Sequence, residues 1–546
     1  MRAPLLAVAF LGAIFAGCLG GDDDARGDQN QAGPDLSALS PKLFDVLPVE
    51  ITWVASSIDG QRIHNAVYRP NTDDPVPVFI NFSPYWGDTA EAEGDHFSQY
   101  MIHEYVPRGY AVVLSAVRGT GHSEGCFQIG GDLELQDTYD VVDHFAAQPW
   151  SNGNVGAGGK SYDSTTQNGM IAKFPHPALK TLFHVSGITD VYRYNYRNGV
   201  ELAGTGGLFN TRYYFQGTNE YGIGYPPTGA DPAFVQDEDP ESMARIVDDA
   251  ACAELPETAG HGWLSAEAGA KTDYWIERDW NRFVGDSSAV PSIFFVHGLQ
   301  DWNVKPDHIL PWLDALPDDV VVKAWLHQWS RDPDLGGEGG HVYPMRDDWN
   351  VTMLRWLDHW LKGIDTGMLE EPLFDVQGTD AKWRHMPTWP PHEDATTFDL
   401  ATEPTEVELP LDTTPVRISG VPLLRVTAAS NHADPVLTAT LLETNGTERE
   451  WLSEAVLRAV YRNGLEEPEP IAAGAAVDYV LEFYPLDVVI EAGHGLMITV
   501  GGAPVHASPK TGQLDGVTYQ MTSFEATFVP AEARENQPTF IDCFAC

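Results

Sequence analysis

Short apolar runs of strand length alternate along the chain with longer stretches of helical spacing. VEITWVASSIDGQRIHNAVYRP (49–70) alternates on either side of Asp59-Gly60-Gln61 and predicts a β-hairpin. VPVFINFSPYW (76–86), YAVVLSAVRG (110–119), GNVGAGGKSYDS (153–164), LKTLFHVSG (179–187), PSIFFVHGLQD (291–301) and VVVKAWLHQ (320–328) are continuous apolar runs or strand-and-turn segments. HFSQYMIHEYVPRG (96–109), LELQDTYDVVDHFAAQPW (133–150) and DDWNVTMLRWLDHWLKG (347–363) carry helical spacing. Strands alternating with helices imply a mostly parallel sheet covered on both faces.

Two regions break the rhythm. From about Asn195 to Arg282 the chain is rich in Gly, Tyr, Asn and acids, which suits an inserted helical cap over the active edge of the sheet. Beyond about Leu373 the helical signal fades, and segments such as VRISGVPLLRVTAAS, PVLTATLLET and HGLMITVGGAP alternate with regular turns, as in a β-sandwich or jelly roll. The expected fold class is therefore α/β: a catalytic domain over 46–372 with its cap at about 195–282, followed by an all-β jelly-roll domain over 373–546.

Composition changes this picture in two ways. The 32 Lys and Arg face 79 Asp and Glu, a net charge of −47, so the surface repels nucleic-acid phosphates and suits either high salt or simple solubility. The N-terminus, MRAPLLAVAFLGAIFAGC, has a basic start, an apolar run too short for a comfortable membrane span, and small residues before Cys18. FAGC followed by LGGDDD has the form of a lipobox. Residues 1–18 are expected to be a signal with Cys18 lipidated, and 19–45 a flexible polar tether. The expected localisation is the extracellular face of the cell membrane, lipid-anchored, or secreted. Export permits disulfides among Cys126, Cys252, Cys543 and Cys546, in a connectivity that sequence does not define. Asn81, Asn350 and Asn445 begin N-x-S/T sequons.

Ligands of a doubly wound sheet sit at the carboxyl ends of its strands. Three candidates fall there: Ser161 after GNVGAGGK, Asp301 after SIFFVHGLQ, and His341 beyond VVVKAWLHQ. Their chain order, Ser then Asp then His, is that of α/β-hydrolases. A serine hydroxyl needs an imidazole to take its proton and a carboxylate to hold that imidazole in the right tautomer. His327, which ends a strand, is the rival base. Ser161 lacks the second glycine of the common G-x-S-x-G turn, because Asp163 stands there. No phosphate loop or H-E-x-x-H zinc motif is present, and no cofactor or metal is expected.

QPWSNGNVGAGGKSYDS resembles the nucleophile region of the Xaa-Pro dipeptidyl-peptidase and cocaine-esterase-like serine hydrolases. In that pattern the glycine lies three residues after the serine, so Asp163 occupies a variable place and Ser164 replaces the glycine. VRGTGHSEGCF, INFSPYWGD, VHGLQDWNVKP and WLHQ followed by GGHVYP resemble further family segments, with WSRDPDLGGE as extra residues between the last two. The resemblance runs from about Val49 to the C-terminus. It implies catalytic roles for Ser161, Asp301 and His341, and an oxyanion hole from the Tyr85 hydroxyl and the Tyr162 backbone N–H. It further implies a serine peptidase releasing Xaa-Pro dipeptides from peptide N-termini. On the same scaffold the alternative is an ester or amide hydrolase of the cocaine-esterase or alpha-amino-acid ester hydrolase type; a remoter one is an inactive surface-anchored binding protein. The expected partners are a peptide or a small ester or amide substrate, and the membrane through Cys18. Glu201, Glu220, Tyr213, Tyr214 and Tyr221 of the cap are candidates, without individual roles, for binding the substrate amine and proline.

Overall fold

The structure, a computed structural model, describes residues 39–84, 96–203, 269–328, 346, 348–402, 406–409, 411 and 415–531. The strands of the N-terminal part are β1 (Glu50–Ala55), β2 (Arg62–Tyr68), β3 (Val76–Ser83), β4 (Ala111–Ala116), β5 (Ser151–Lys160) and β6 (Leu179–Val185). They are followed by β7 (Tyr196–Arg197), β8 (Val200–Glu201), β9 (Ser292–Gly298), β10 (Val322–His327), β11 (Phe374–Gln377) and β12 (Trp383–Met386). Helices α1 (His96–Glu104), α2 (Asp132–Ala146), α3 (Tyr162–Lys173), α4 (Val191–Asn195), α5 (Asp273–Ile276), α6 (Ile309–Ala315) and α7 (Trp349–Lys362) lie between them.

Ten of the strands form one sheet in the order β1-β2-β4-β3-β5-β6-β9-β10-β11-β12. The pairs from β4 to β11 are parallel, while β1, β2 and β12 add antiparallel edges. Alternate side chains of each strand feed two cores. Ile80, Leu182, Ile293 and Phe295 face one core with Leu135, Phe145 and Val142 of α2 and Met170 and Ile171 of α3. Phe79, Phe183, Phe294 and Val296 face the other with Met101 of α1 and Val351, Leu354, Trp356 and Leu357 of α7. Burial on both faces is why these strands read as unbroken apolar runs rather than alternation. Helix α7 stops at Gly363, which supplies the left-handed φ of 69° that closes the helix.

The chain order reverses around β3: the strand that follows it in sequence lies on one side, and β5 lies on the other. That reversal opens a crevice at the carboxyl ends of β3 and β5. Asn81, a sequon asparagine on β3, is fully buried and donates to the Gly158 carbonyl at 2.8 Å, so the fold leaves it no room for a glycan.

The helical cap expected at about 195–282 lies largely outside the described residues, which stop at 203 and resume at 269. Its two ends are the β7–β8 ribbon and the α5 segment. Lys271, buried just before α5, donates to Asp190 at the start of α4 at 2.7 Å and to Asp279 at 2.6 Å. The polar segment expected to run to about residue 45 meets the folded body at Leu39 and Ser40. Ser40 donates through its amide (2.8 Å) and hydroxyl (2.6 Å) to the buried Asp358 of α7. The lipobox and Cys18 lie outside the described residues.

The hydrolase sheet carries on past residue 373, where the β domain was expected to begin. β11 pairs in parallel with β10, and β12 returns antiparallel to Met386. Four residues of strand pattern do not reveal which sheet will take them. The β domain proper starts at Thr396 and is all antiparallel. One four-stranded sheet joins Thr396–Thr402, Val517–Ala526, Leu423–Ser430 and Val477–Glu482. A second joins Glu406–Leu409, Gly495–Val500, Val436–Thr444 and Arg449–Arg458, and a three-stranded sheet completes the domain. Leu424, Leu441, Leu481, Ile498 and Phe524 fill the space between them. Cys126 is disulfide-bonded, and every other cysteine of the chain lies outside the described residues.

Candidate active site

The carboxyl end of β5 is built for close approach. A Cβ on Gly158 would lie 2.5 Å from the Phe183 carbonyl oxygen of β6, and one on Gly159 would lie 2.5 Å from Asn81 Nδ2 of β3. Only glycine lets the neighbouring backbones come this near. The strand then turns sharply into α3 through Ser161, whose φ of 63° and ψ of −124° are strained for a residue with a side chain. Such strain, about 1–3 kcal/mol, persists only where the surroundings over-determine the conformation. Here they do. The Ser161 amide donates to the Val185 carbonyl at 2.9 Å. Its carbonyl accepts from the amides of Ser164 (3.0 Å) and Thr165 (3.2 Å) and from the Thr165 hydroxyl (2.9 Å).

Ser164 stands where the family turn has its glycine, and the structure shows how the extra atoms fit. Its hydroxyl bonds the Gly159 carbonyl and accepts the Val185 amide at 3.0 Å. The space for its Cβ comes from Gly187, where an added Cβ would lie 2.6 Å from that of Ser164.

Asp301 follows the carboxyl end of β9 and is fully buried. One carboxyl oxygen accepts the amides of Asn303 (2.9 Å) and Val304 (3.0 Å), a tight turn that sets the direction of the carboxylate. Loop 302–305 is held from both sides. Tyr194 of α4 donates to Asn303 at 2.7 Å, and the Trp302 ring stacks at 4.1 Å on His506 of the β domain, edge-on to Trp451 and Tyr484. Lys305 is buried here, and loss of water lowers its ammonium to about 8.

The rival base His327 ends β10 next to Gly298 of β9. It is buried; loss of water lowers its pKa to about 4, against the opposing pull of Gln328 and Asp301. The neutral ring donates from Nδ1 to the Gln328 carbonyl at 3.3 Å. His297 is buried near it and donates to the Val304 carbonyl at 2.9 Å, and so braces the Asp301 turn; His184 and His308 are buried close to His297. His341 and Tyr85 lie outside the described residues, as do Glu220, Tyr213, Tyr214 and Tyr221. Tyr162 is the first residue of α3. Among the described residues no group of three or more His, Cys, Asp or Glu side chains is arranged to hold a metal ion.

Sequence reasoning missed Glu134. This α2 carboxyl is fully buried and accepts the Tyr162 hydroxyl at 2.9 Å. Its signal was available: with Thr138, Val141 and Phe145 it lies on the buried stripe of α2.

A serine on a strained turn after β5, an aspartate after β9 and a largely parallel sheet whose strand order reverses at β3 define an α/β-hydrolase, here carrying an all-β domain. Comparison with known proteins narrows the class. The family model described as X-Pro dipeptidyl-peptidase (S15 family) matches residues 59–330, and that of the X-Pro dipeptidyl-peptidase C-terminal non-catalytic domain matches 404–536. The chain belongs to the S15 X-Pro dipeptidyl-peptidase family and is a hydrolase of the serine peptidase class. It is 28% identical over 562 residues to a Bacillus anthracis protein named "Putative Xaa-Pro dipeptidyl-peptidase", covering 89% of this chain and 87% of that one. A Streptomyces avermitilis protein of the same name is 31% identical over 384 residues, 63% of this chain and 50% of the relative. Two solved structures share the fold at 16% identity. An aminopeptidase from a marine sediment archaeon has a TM-score of 0.65, covering 93% of this chain and all of that one; an alpha-amino acid ester hydrolase has 0.62, covering 91% and 99%.

Proposed function

We propose that this chain is an exported serine peptidase that releases Xaa-Pro dipeptides from peptide N-termini through an acyl-enzyme. The observation that carries the reading is Ser161, held at a positive φ at the end of β5 in the same sheet that ends β9 at the buried Asp301. Family membership supports the substrate class. In this mechanism Ser161 attacks the carbonyl carbon after proline while His341 takes its proton. Asp301 holds the imidazolium that forms. The amide of Tyr162 and the hydroxyl of Tyr85 stabilise the oxyanion; one such donor lost typically raises the barrier by ~3 kcal/mol. The imidazole then returns the proton to the leaving amine, and water repeats the sequence on the acyl-enzyme.

A second reading, an ester or amide hydrolase, is favoured by one observation: a structural neighbour of matching length is an alpha-amino acid ester hydrolase. One substrate panel separates them. A Gly-Pro or Ala-Pro anilide should be cleaved well, and acetylating its amine should cost at least ~100-fold, the scale of a buried charged partner left unpaired. Equal rates on blocked and free substrate, or a strong preference for simple aryl esters, favour the second reading.

Localisation at the extracellular face of the cell membrane through a lipid on Cys18 is part of the same proposal, supported by the FAGC motif. No helix among the described residues is long and apolar enough to cross a membrane. Full-length protein expressed in a lipoprotein-processing host should incorporate radiolabelled palmitate and partition into detergent. Cys18→Ala should do neither; unchanged partitioning of that variant counts against the anchor.

A further inference from the structure

The Tyr162 side chain is almost fully buried, its ring 5.5 Å from that of Phe127. What it meets there is a carboxyl group. Glu134 accepts the Tyr162 hydroxyl at 2.9 Å and, more weakly, the Thr166 hydroxyl at 3.4 Å on Oε1; its Oε2 accepts the Gly130 amide at 3.0 Å. Three donors from two different elements converge on one buried side chain. An ionised carboxylate is an acceptor only, so this arrangement fits the charged form. Yet a fully buried carboxylate is costly, and an apolar side chain on this stripe would pack without that cost.

We propose that Glu134 is a positioning residue of the acyl-transfer site: by gripping the Tyr162 hydroxyl from beneath, it fixes the peptide unit between Ser161 and Tyr162, whose N–H holds the oxyanion. This deepens the proposed function and rests on its serine mechanism. The link is short. The Tyr162 backbone joins directly to the strained Ser161, and a strained turn keeps its geometry only through such anchors.

The grip depends on pH. Loss of water raises the Glu134 carboxyl to about 7, against the pull of the Gly130 amide, the Tyr162 hydroxyl, and the Arg118 and Arg278 guanidiniums. Arg118, from the loop after β4, is held by Asp137 and Asp59; Arg278 lies over the ring of Tyr274, which also faces Glu134. The folded value lies above that of an unfolded glutamate. The carboxyl therefore favours folding fully below about 4.5, and this contribution is lost as pH rises through about 7. Ionisation costs stability but gives all three donors an acceptor. Below about 7 one oxygen carries a proton, the Tyr162 hydroxyl no longer meets a charged acceptor, and the grip on Tyr162 loosens.

The test is the pH dependence of Ser161 phosphonylation by a fluorophosphonate, which puts an oxygen in the oxyanion hole without requiring a known substrate. Wild type should show two ionisations, one from the catalytic imidazole and one from Glu134. Glu134→Gln should lose the second and react roughly 10-fold more slowly at pH 8, within what a small misplacement costs. Tyr162→Phe removes only the hydroxyl. It should show the same loss and the same simplified profile, and the double variant should be no slower than either single one. The proposal is overturned if both variants keep the wild-type rate and two-ionisation profile while only their melting temperatures fall, or if their losses multiply. Should Glu134→Gln not fold, Tyr162→Phe decides alone by the same criteria. Folded wild type that no phosphonate labels would overturn the serine mechanism and this inference together, whereas labelling with an unaltered Tyr162→Phe profile overturns the inference alone.

Discussion

Replacing Ser161 with alanine is expected to remove turnover, by roughly 10⁶-fold in kcat, while leaving the fold intact. The fold should survive because the turn is held by its backbone. The bonds to Val185, Ser164 and Thr165 involve the Ser161 amide and carbonyl, and alanine accepts a positive φ no worse than serine does. Chemistry should fail because the hydroxyl is the atom that becomes the ester. The measurement is kcat on a Gly-Pro anilide beside phosphonate labelling and a melting curve. A variant that folds and retains activity within tenfold of wild type would sink the acyl-enzyme reading and leave a fold without a mechanism.

The second large effect is expected at Asp301. Changing it to asparagine should lower kcat by about 10⁴-fold, with KM little altered. An asparagine oxygen can still accept the Asn303 and Val304 amides that shape the turn. His297 still braces the loop through the Val304 carbonyl. What disappears is the negative charge, and with it the force that holds the imidazole in the tautomer able to accept the serine proton. Because the turn is preserved, a loss of activity with an unchanged melting temperature assigns the effect to charge. A loss of less than tenfold would mean that another carboxylate orients the base. His327 is buried, and loss of water lowers its pKa to about 4.

Much of the catalytic sheet was legible in the chain. Runs such as SIFFVHG and LKTLFHV have no polar gap because each is buried on both faces, and that pattern belongs to parallel strands covered by helices. Ser161 was legible as a turn residue because the glycines before it and the helical spacing after it mark a strand-to-helix junction. Other features were not. FDVQ at β11 is strand-like wherever it goes; its assignment to the hydrolase sheet depends on the open edge of β10. Glu134 looks like one more acid among 79, and its role exists only because Tyr162, 28 residues later, folds back onto it. Trp302 reads as a loop aromatic until the β domain brings His506 and Trp451 to it.

By itself the sequence determined which segments of the catalytic part would be strands and which helices, and in what order the serine and the aspartate reach strand ends. These depend on periodicity and turn chemistry, which act over a few residues. Only the tertiary structure decided the neighbours: the strand order that opens a crevice at β3 and β5, the packing of Gly187 against Ser164 that leaves room for its side chain, and the buried carboxyl beneath Tyr162. Neighbours are chosen by competition among distant segments for the same buried space, and no local pattern records the outcome of that competition.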